Sequence, residues 1–141
     1  MGIKQLELVS IDARRFTKMG EHIRNVRIDH NSTVTMITEL NEREAGIDFR
    51  FTANYQAMGI IKIEGRLIYE GDAAALARQW SAENRMPDEV ASNIHSAVMS
   101  SCIPEAVLIA RDLRLPPPIP MPNVQIGKGK QVKPSSGIEV A

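Results

Sequence analysis

Hydrophobic and polar residues alternate through much of the first seventy residues. The clearest case is residues 47–55, IDFRFTANY. Every second residue from Ile47 to Tyr55 is apolar, and the four residues between them are polar. This period of two is typical of an antiparallel strand with one buried face. It returns in residues 60–71 and, more weakly, in residues 33–40, while residues 4–16 and 22–29 suggest a first strand that is bulged or broken. The pattern predicts four or five strands joined by short turns, in the sequential order of a β-meander.

The period changes from two to that of a helix after Gly71. Asp72 is a good N-cap for the alanine-rich residues 73–84, and Pro87 suits the first turn of a second helix. Apolar residues then recur at helical spacing as far as Leu113, with Pro104 predicting either a kink or two abutting helices. Strands followed by helices predict an α+β fold: an antiparallel four-stranded β-meander with one or two C-terminal helices on one face.

A proline-rich segment follows the second helix. Residues 114–124, RLPPPIPMPNV, contain five of the eight prolines, and apolar residues alternate with them. We interpret this segment as a strap that folds back over the domain or over a dimer partner, and the alternative is a free polyproline II ligand. The chain therefore divides into a single domain at 1–124, with an extra short helix within 66–90, and a flexible polar and basic tail at 125–141.

Some apolar residues fall outside the predicted core faces. The weak alternation in residues 33–40 puts Val34, Met36 and Leu40 on one side and Ile37 on the polar side, and Ile60 and Ile68 lie on the polar side of the last strand. Such positions suggest a second buried surface, although isolated apolar residues are also common on protein surfaces. The following residues are our candidates for contact with a client polypeptide or a second copy: Ile37, Ile60, Ile68, Trp80 and Met86.

Composition narrows the function classes further. Lys and Arg together number 17, as do Asp and Glu, so no net field attracts nucleic acid or membranes. No apolar run has the length of a signal peptide or membrane span, which predicts a cytoplasmic protein without membrane insertion. No catalytic motif is present, three histidines with one cysteine do not suggest a metal site, and Cys102 lies on the apolar stripe of the helix. We expect no enzymatic activity, no cofactor and no bound metal.

Several of these features occur together, in order, in one known family. Cys102 and Pro104 lie in the long helix, an apolar Ala110-Arg111 segment continues it, and the strap follows; the preceding hairpin contains residues 59–65, GIIKIEG. The residues of the strap that match are Pro116, Pro117, Pro120, Pro122 and Val124. Over residues 3–126 the chain resembles the SecB export chaperones, and more closely their small archaeal relatives.

The resemblance implies an ATP-independent holdase that binds unfolded or preprotein polypeptides as a homo-oligomer, either a dimer or a tetramer. The alternative is an adaptor or a ribosome- or RNA-associated factor acting through Lys128, Lys130 and Lys133 of the tail. Three lysines supply few phosphate contacts, and only 4% of the residues are aromatic. Nucleic-acid binding is therefore possible but not favoured.

Overall fold

The computed structural model describes residues 2–23 and 25–119, so Pro120, Pro122, Val124 and the tail at 125–141 lie outside the described residues. Within it, four strands are followed by two helices. The strands are β1 (Gly2–Arg15), β2 (Asp29–Asn41), β3 (Glu44–Asn54) and β4 (Gly59–Glu70), with a 3₁₀ turn at Gln56–Met58. The helices are α1 (Ala73–Glu83) and α2 (Asp88–Leu113). This confirms the α+β class, the four-stranded antiparallel sheet and the two C-terminal helices.

The strand order differs from a sequential meander. β2, β3 and β4 follow one another, but β1 pairs with β4, so the order across the sheet is β1-β4-β3-β2, a Greek-key arrangement. Residues 16–28 connect β1 to β2 across three strand spacings, about 14 Å, which a connection of this length spans easily. The prediction assumed short turns throughout. Residues 22–23 and 25–28 belong to this connection and are not part of a strand.

The buried face of the sheet is the one that the alternation predicts. Ile47, Phe49 and Phe51 of β3 are fully buried, as are Ile61, Ile63 and Leu67 of β4, and both helices pack on this face. Gly65 is needed in the middle of it, because a Cβ atom there would lie 2.4 Å from the carbonyl oxygen of Glu7 and 2.6 Å from Cζ of Phe49. The missing side chain lets the Phe49 ring lie across β4.

Two irregularities in β2 overturn the predicted faces of that strand. Val34 pairs with Phe49 and Met36 pairs with Asp48, so β2 contains one extra residue between them. A slip of one residue reverses the side that each later side chain faces. Ile37 is therefore buried, with 7% of its surface exposed, whereas Met36 is 52% exposed, so the prediction that Met36 and Leu40 share the face of Val34 is wrong.

Both helices begin and end with recognisable caps. The Asp72 carboxylate accepts a hydrogen bond from the Ala75 N–H at 3.1 Å, and Asn84 ends α1 in the left-handed conformation. Pro87 is the N-cap of α2. α2 runs through Pro104 without interruption, so two abutting helices are excluded. Pro104 and Ser100 are both exposed, and water can therefore satisfy the carbonyl that the proline leaves without a donor.

Candidate functional site

The five predicted contact residues do not form one surface. Ile37 and Met86 belong to the core on the helix side, each with less than a tenth of its surface exposed, so the prediction that Ile37 points outward is wrong. Trp80 of α1 is partly buried against the same core. Ile60 and Ile68 are half-buried on the opposite face of the sheet, near its two ends. Contact of any of these residues with a client or a second copy stays a prediction.

Charged pairs occupy the outer face between Ile60 and Ile68. Nε of Arg66 donates to Oδ1 of Asp48 at 2.7 Å, and Nε of Arg50 donates to Oε2 of Glu64 at 3.1 Å, both between β3 and β4. The hydrogen bond to Asp48 raises the pKa of Arg66 further above its ordinary value. The outer face is thus a polar surface whose charges largely neutralise each other.

The segment after α2 turns back across one end of the sheet. Arg114 ends the helix in the left-handed conformation, with a φ of 58°, and the Leu115 N–H donates to the Ala110 carbonyl at 2.8 Å. This is a C-cap geometry that reverses the chain direction. Leu115 is then buried beside Gly59 at the start of β4. The first strap residues therefore lie against the sheet of their own protomer.

Two side chains of the sheet hold this segment by its proline carbonyls. The Tyr55 hydroxyl, just after β3, donates to the Pro116 carbonyl at 2.6 Å. Nε2 of His30 on β2 lies 2.6 Å from the Pro118 carbonyl, and because a carbonyl only accepts, that nitrogen is the donor. Burial raises the pKa of Tyr55 to about 12, so its hydroxyl remains protonated at neutral pH.

Sequence reasoning missed both of these anchors. In the sequence Tyr55 is one of several alternating apolar residues, and His30 is one of three histidines that do not suggest a metal site. Of the predicted strap residues, Pro116 and Pro117 lie in the described part, where Pro117 is exposed. Residues 115–119 thus cross from the start of β4 past the end of β3 to β2. Ile119, the last of these residues, has 48% of its surface exposed.

A second histidine ties α2 to the edge strand β2. Nδ1 of His95 and Oγ of Ser32 are 2.7 Å apart, and both side chains are partly buried. Ser32 is two residues from His30, so α2 and the strap are attached to the same face of β2. This pair was also missed from the sequence, since neither residue lies in a recognisable motif.

A group of exposed large apolar side chains lies on β1, on the residue that follows it and on α2, and β1 and α2 are in contact. We call it the β1–α2 surface and define it by Val9, Ile11, Phe16 and Leu108. Their exposed fractions are 71% for Val9, 49% for Ile11, 55% for Phe16 and 49% for Leu108. Val9 lies at an irregularity in β1, between the pairs Leu8–Gly65 and Ser10–Glu64, which explains why the alternation did not reveal it.

The second half of α2 contributes one exposed apolar residue to this surface, Leu108, on a stripe whose other exposed residues are Ser101, Pro104, Arg111 and Asp112. Cys102, Ala106 and Ala110 are buried against the sheet, whereas Leu108 is half-exposed and Ile109 is partly buried. The helix is therefore amphipathic, with one stripe packed on the sheet, and Leu108 is an apolar residue on its otherwise mainly polar outer side.

The described part of the chain contains no reactive thiol, no metal site and no membrane-spanning helix. Burial raises the pKa of Cys102 to about 11, and nearby Glu105 adds to the shift, so the thiol is protonated and shielded. Among residues 2–23 and 25–119, no three His, Cys, Asp or Glu side chains come together in a way that could hold a metal ion. No helix in that part of the chain combines the length and apolar character needed to span a membrane.

Comparison with known proteins supports the fold. No protein-family model matches the chain, and no curated protein matches it. Among solved structures, it is similar to the SecB-like chaperone Rv1957 of Mycobacterium tuberculosis, in complex with a ChAD peptide from the antitoxin HigA1. The TM-score is 0.53 over 87% of this chain and 86% of the other. The fold is SecB-like. Because only 10% of residues are identical, the similarity to this chaperone concerns the fold alone. The expected relation to small archaeal SecB relatives depends on the sequence motifs only.

Proposed function

We propose that this protein is an ATP-independent polypeptide-binding module, a chaperone-like holdase that binds unfolded or preprotein polypeptides as a cytoplasmic homo-oligomer. The SecB-like fold supports this proposal, as does the peptide bound to the similar chaperone of Mycobacterium tuberculosis. The kinship with small archaeal SecB relatives, suggested by the strap and helix motifs, is part of the same proposal. No catalytic step or cofactor is required.

The β1–α2 surface is the observation on which the proposal depends. Its four residues are large and apolar, and each exposes about half of its surface or more. Fully burying such a side chain is worth about 1.5–3 kcal/mol, so covering what is exposed here is worth about 1 kcal/mol per residue. The sum of about 4 kcal/mol, before the entropy cost of association is subtracted, limits the dissociation constant to roughly 1 mM or weaker.

A surface this weak would hold an unfolded chain only through repetition. Linking several copies turns later contacts into intramolecular ones, which can increase avidity about 10²- to 10⁴-fold. In this proposal the copies assemble through the outer side of α2, where a second copy would cover the exposed Leu108. A dimer or tetramer is therefore integral to the proposal, and it leaves Val9 and Phe16 as the more accessible client contacts.

An aggregation assay without nucleotide tests the proposal. A chemically unfolded client protein is diluted into buffer, and light scattering measures how far this protein suppresses its aggregation. We expect wild type to suppress aggregation and Val9→Lys/Phe16→Lys to lose most of this effect. Ser81→Lys/Asn93→Lys, which adds two charges at exposed polar helix positions, is the matched control. Ile60→Lys/Ile68→Lys tests the outer face separately. Wild-type suppression no greater than that of an inert protein would contradict the proposal.

A further inference from the structure

A tight turn in the connection between β1 and β2 presents an apolar side chain to solvent. The Glu21 N–H donates to the Lys18 carbonyl at 3.0 Å, and Oε1 of Glu21 accepts from the Lys18 N–H at 2.7 Å. Gly20 has a φ of 85°, as the third position of a type II turn requires. Met19, just before it, has 91% of its surface exposed, the largest fraction among the large apolar residues that the structure describes. The turn thus holds a flexible apolar side chain in an outward position.

A cavity lies where the two helices meet the end of β4. Its volume is about 270 Å³, and the residues that line it belong to the end of β4, to α1 and its N-cap, and to the start of α2. Four of them are apolar: Ala75, Leu76, Pro87 and Val90. Sites for drug-sized molecules measure about 300–1,000 Å³, so this cavity is better matched to a single large side chain. Methionine, which is unbranched and flexible, adapts well to irregular gaps.

The turn and the cavity lie near opposite ends of the sheet. The Phe16 N–H donates to the carbonyl of Met58, the residue before β4 begins. Tyr69, which lines the cavity, is the eleventh of the twelve residues of β4. Ten residues of strand span about 33 Å, whereas the three residues from Phe16 to Met19 reach at most about 11 Å. Met19 therefore cannot reach the cavity of its own chain, and only a second copy can bring this side chain there.

The rim of the cavity is negatively charged. Asp72 and Glu89 line it, are exposed, and form no ion pair with any described residue. We call these two carboxylates the acidic rim. Arg85 and Asp88, which lie close to Glu89 in the chain, are also exposed and have opposite charges. The N-terminus of each helix contributes about half a positive charge, so about one negative charge remains at the rim.

The turn has the opposite charge. Lys18 lies in it and Arg15 lies three residues earlier, and neither forms an ion pair with any described residue. The acidic residue of the turn is Glu21, whose carboxylate is hydrogen-bonded to the backbone of the turn itself. About one positive charge therefore remains beside the exposed methionine. The turn and the acidic rim are complementary in charge, as the methionine and the cavity are in size and polarity.

We propose that Met19 of one copy enters the cavity of a second copy, with Lys18 beside the acidic rim. Because the turn and the cavity lie near opposite ends of the chain's fold, a two-fold axis pairs them reciprocally and closes the assembly at a dimer. The inference rests on the homo-oligomer of the proposed function, and it gives that oligomer a contact separate from the one at Leu108. The occupant of the cavity is thus a second copy of this chain.

Sedimentation equilibrium of the full chain measures the dissociation constant of this association. Met19→Ser should raise the constant roughly a hundredfold, because each of two reciprocal contacts loses a buried apolar side chain. Met36→Ser is the matched control, since Met36 is also an exposed methionine but belongs to neither site, and it should leave the constant unchanged. Lys18→Glu and Glu89→Lys should each raise the constant about two- to thirtyfold, and the two together should restore it, as expected for two exposed ion pairs.

Disulfide trapping identifies the two sites that meet. In a Cys102→Ala background, protein with Met19→Cys is mixed with protein carrying Ala75→Cys and is oxidised mildly. The cross-linked heterodimer should form much faster than in the matched mixture of Met19→Cys with Glu7→Cys, which places the second thiol at an exposed position of β1. Equal rates in the two mixtures would contradict the contact.

The sedimentation data also separate this contact from the one at α2. Wild type that stays monomeric at every concentration, or a Met19→Ser dissociation constant equal to that of wild type, would overturn the inference. If Leu108→Lys dissociates the oligomer and Met19→Ser does not, the assembly through α2 stands and the contact proposed here fails. Client binding is measured independently by the aggregation assay, so a failure here leaves that result unaffected.

Discussion

Tyr55 is the hydrogen-bond donor whose loss most directly weakens the attachment of the strap. Its hydroxyl lies 2.6 Å from the Pro116 carbonyl, and only 1% of the residue is exposed. Tyr55→Phe keeps the ring in the core but removes the donor. Leaving a partly buried carbonyl without its partner should lower the free energy of unfolding by about 1–2 kcal/mol at neutral pH. Leu115 and the His30–Pro118 hydrogen bond still hold the segment, so the variant should fold.

The pH dependence gives this prediction a second signature. Burial raises the pKa of Tyr55 from 10 to about 12, so the folded protein holds the phenol proton more tightly than the unfolded chain does. The corresponding stability is complete below pH 10 and is lost as the pH rises through 12. A difference of about two pH units corresponds to about 2.7 kcal/mol. Tyr55→Phe should lack this decline in stability. Burial also raises the pKa of Cys102, and the loss of stability that follows at alkaline pH is the same in wild type and in Tyr55→Phe.

Urea unfolding of wild type and Tyr55→Phe at pH 7.5 and at steps between pH 9 and 12 measures both effects. Tyr69→Phe is the matched control, because Tyr69 is also buried but its hydroxyl forms no hydrogen bond with any described residue. A loss below about 0.3 kcal/mol at pH 7.5, together with an alkaline decline equal to that of wild type, would refute the role of Tyr55 as an anchor.

Three further substitutions test the packing. Ile37→Ala should lower the free energy of unfolding by about 2–4 kcal/mol and Met36→Ala by under about 0.5 kcal/mol in urea titrations; equal losses would contradict the irregularity in β2. Gly65→Ala should cost about 1–3 kcal/mol, because its methyl group would meet the Phe49 ring, and an unchanged melting temperature would disprove that contact. Cys102 should react with a maleimide only after unfolding, and rapid labelling of the native protein would contradict its burial.

The sequence predicted the parts of the fold that depend on regular periodicity. The alternation in β3 and β4, the N-cap at Asp72 and the start of a helix at about Pro87 correspond closely to the structure. Strand order could not be predicted in this way, because periodicity states which side of a strand is buried and not which strand is its neighbour. Pairing of β1 with β4 depends on contacts between residues some sixty positions apart, such as Leu6 with Leu67.

The candidate site was harder to predict because it depends on irregular positions. One extra residue in β2 moved Ile37 into the core, and an irregularity in β1 exposed Val9. Neither has a signature in an alternating pattern, since a bulge requires no special residue type. The anchors Tyr55 and His30 act through proline carbonyls, and backbone acceptors carry no information in the side-chain sequence.

The most direct test of the proposed function is calorimetric titration of the full protein with a permanently unfolded polypeptide, such as a reduced and carboxymethylated protein, without nucleotide and at several temperatures. We predict saturable binding with a negative heat-capacity change, because apolar surface that includes Val9 and Phe16 leaves water. The folded, oxidised form of the same polypeptide should not bind. Absence of saturable heat with the unfolded form, or equal binding of the folded form, would contradict the proposal that this protein is a polypeptide-binding module.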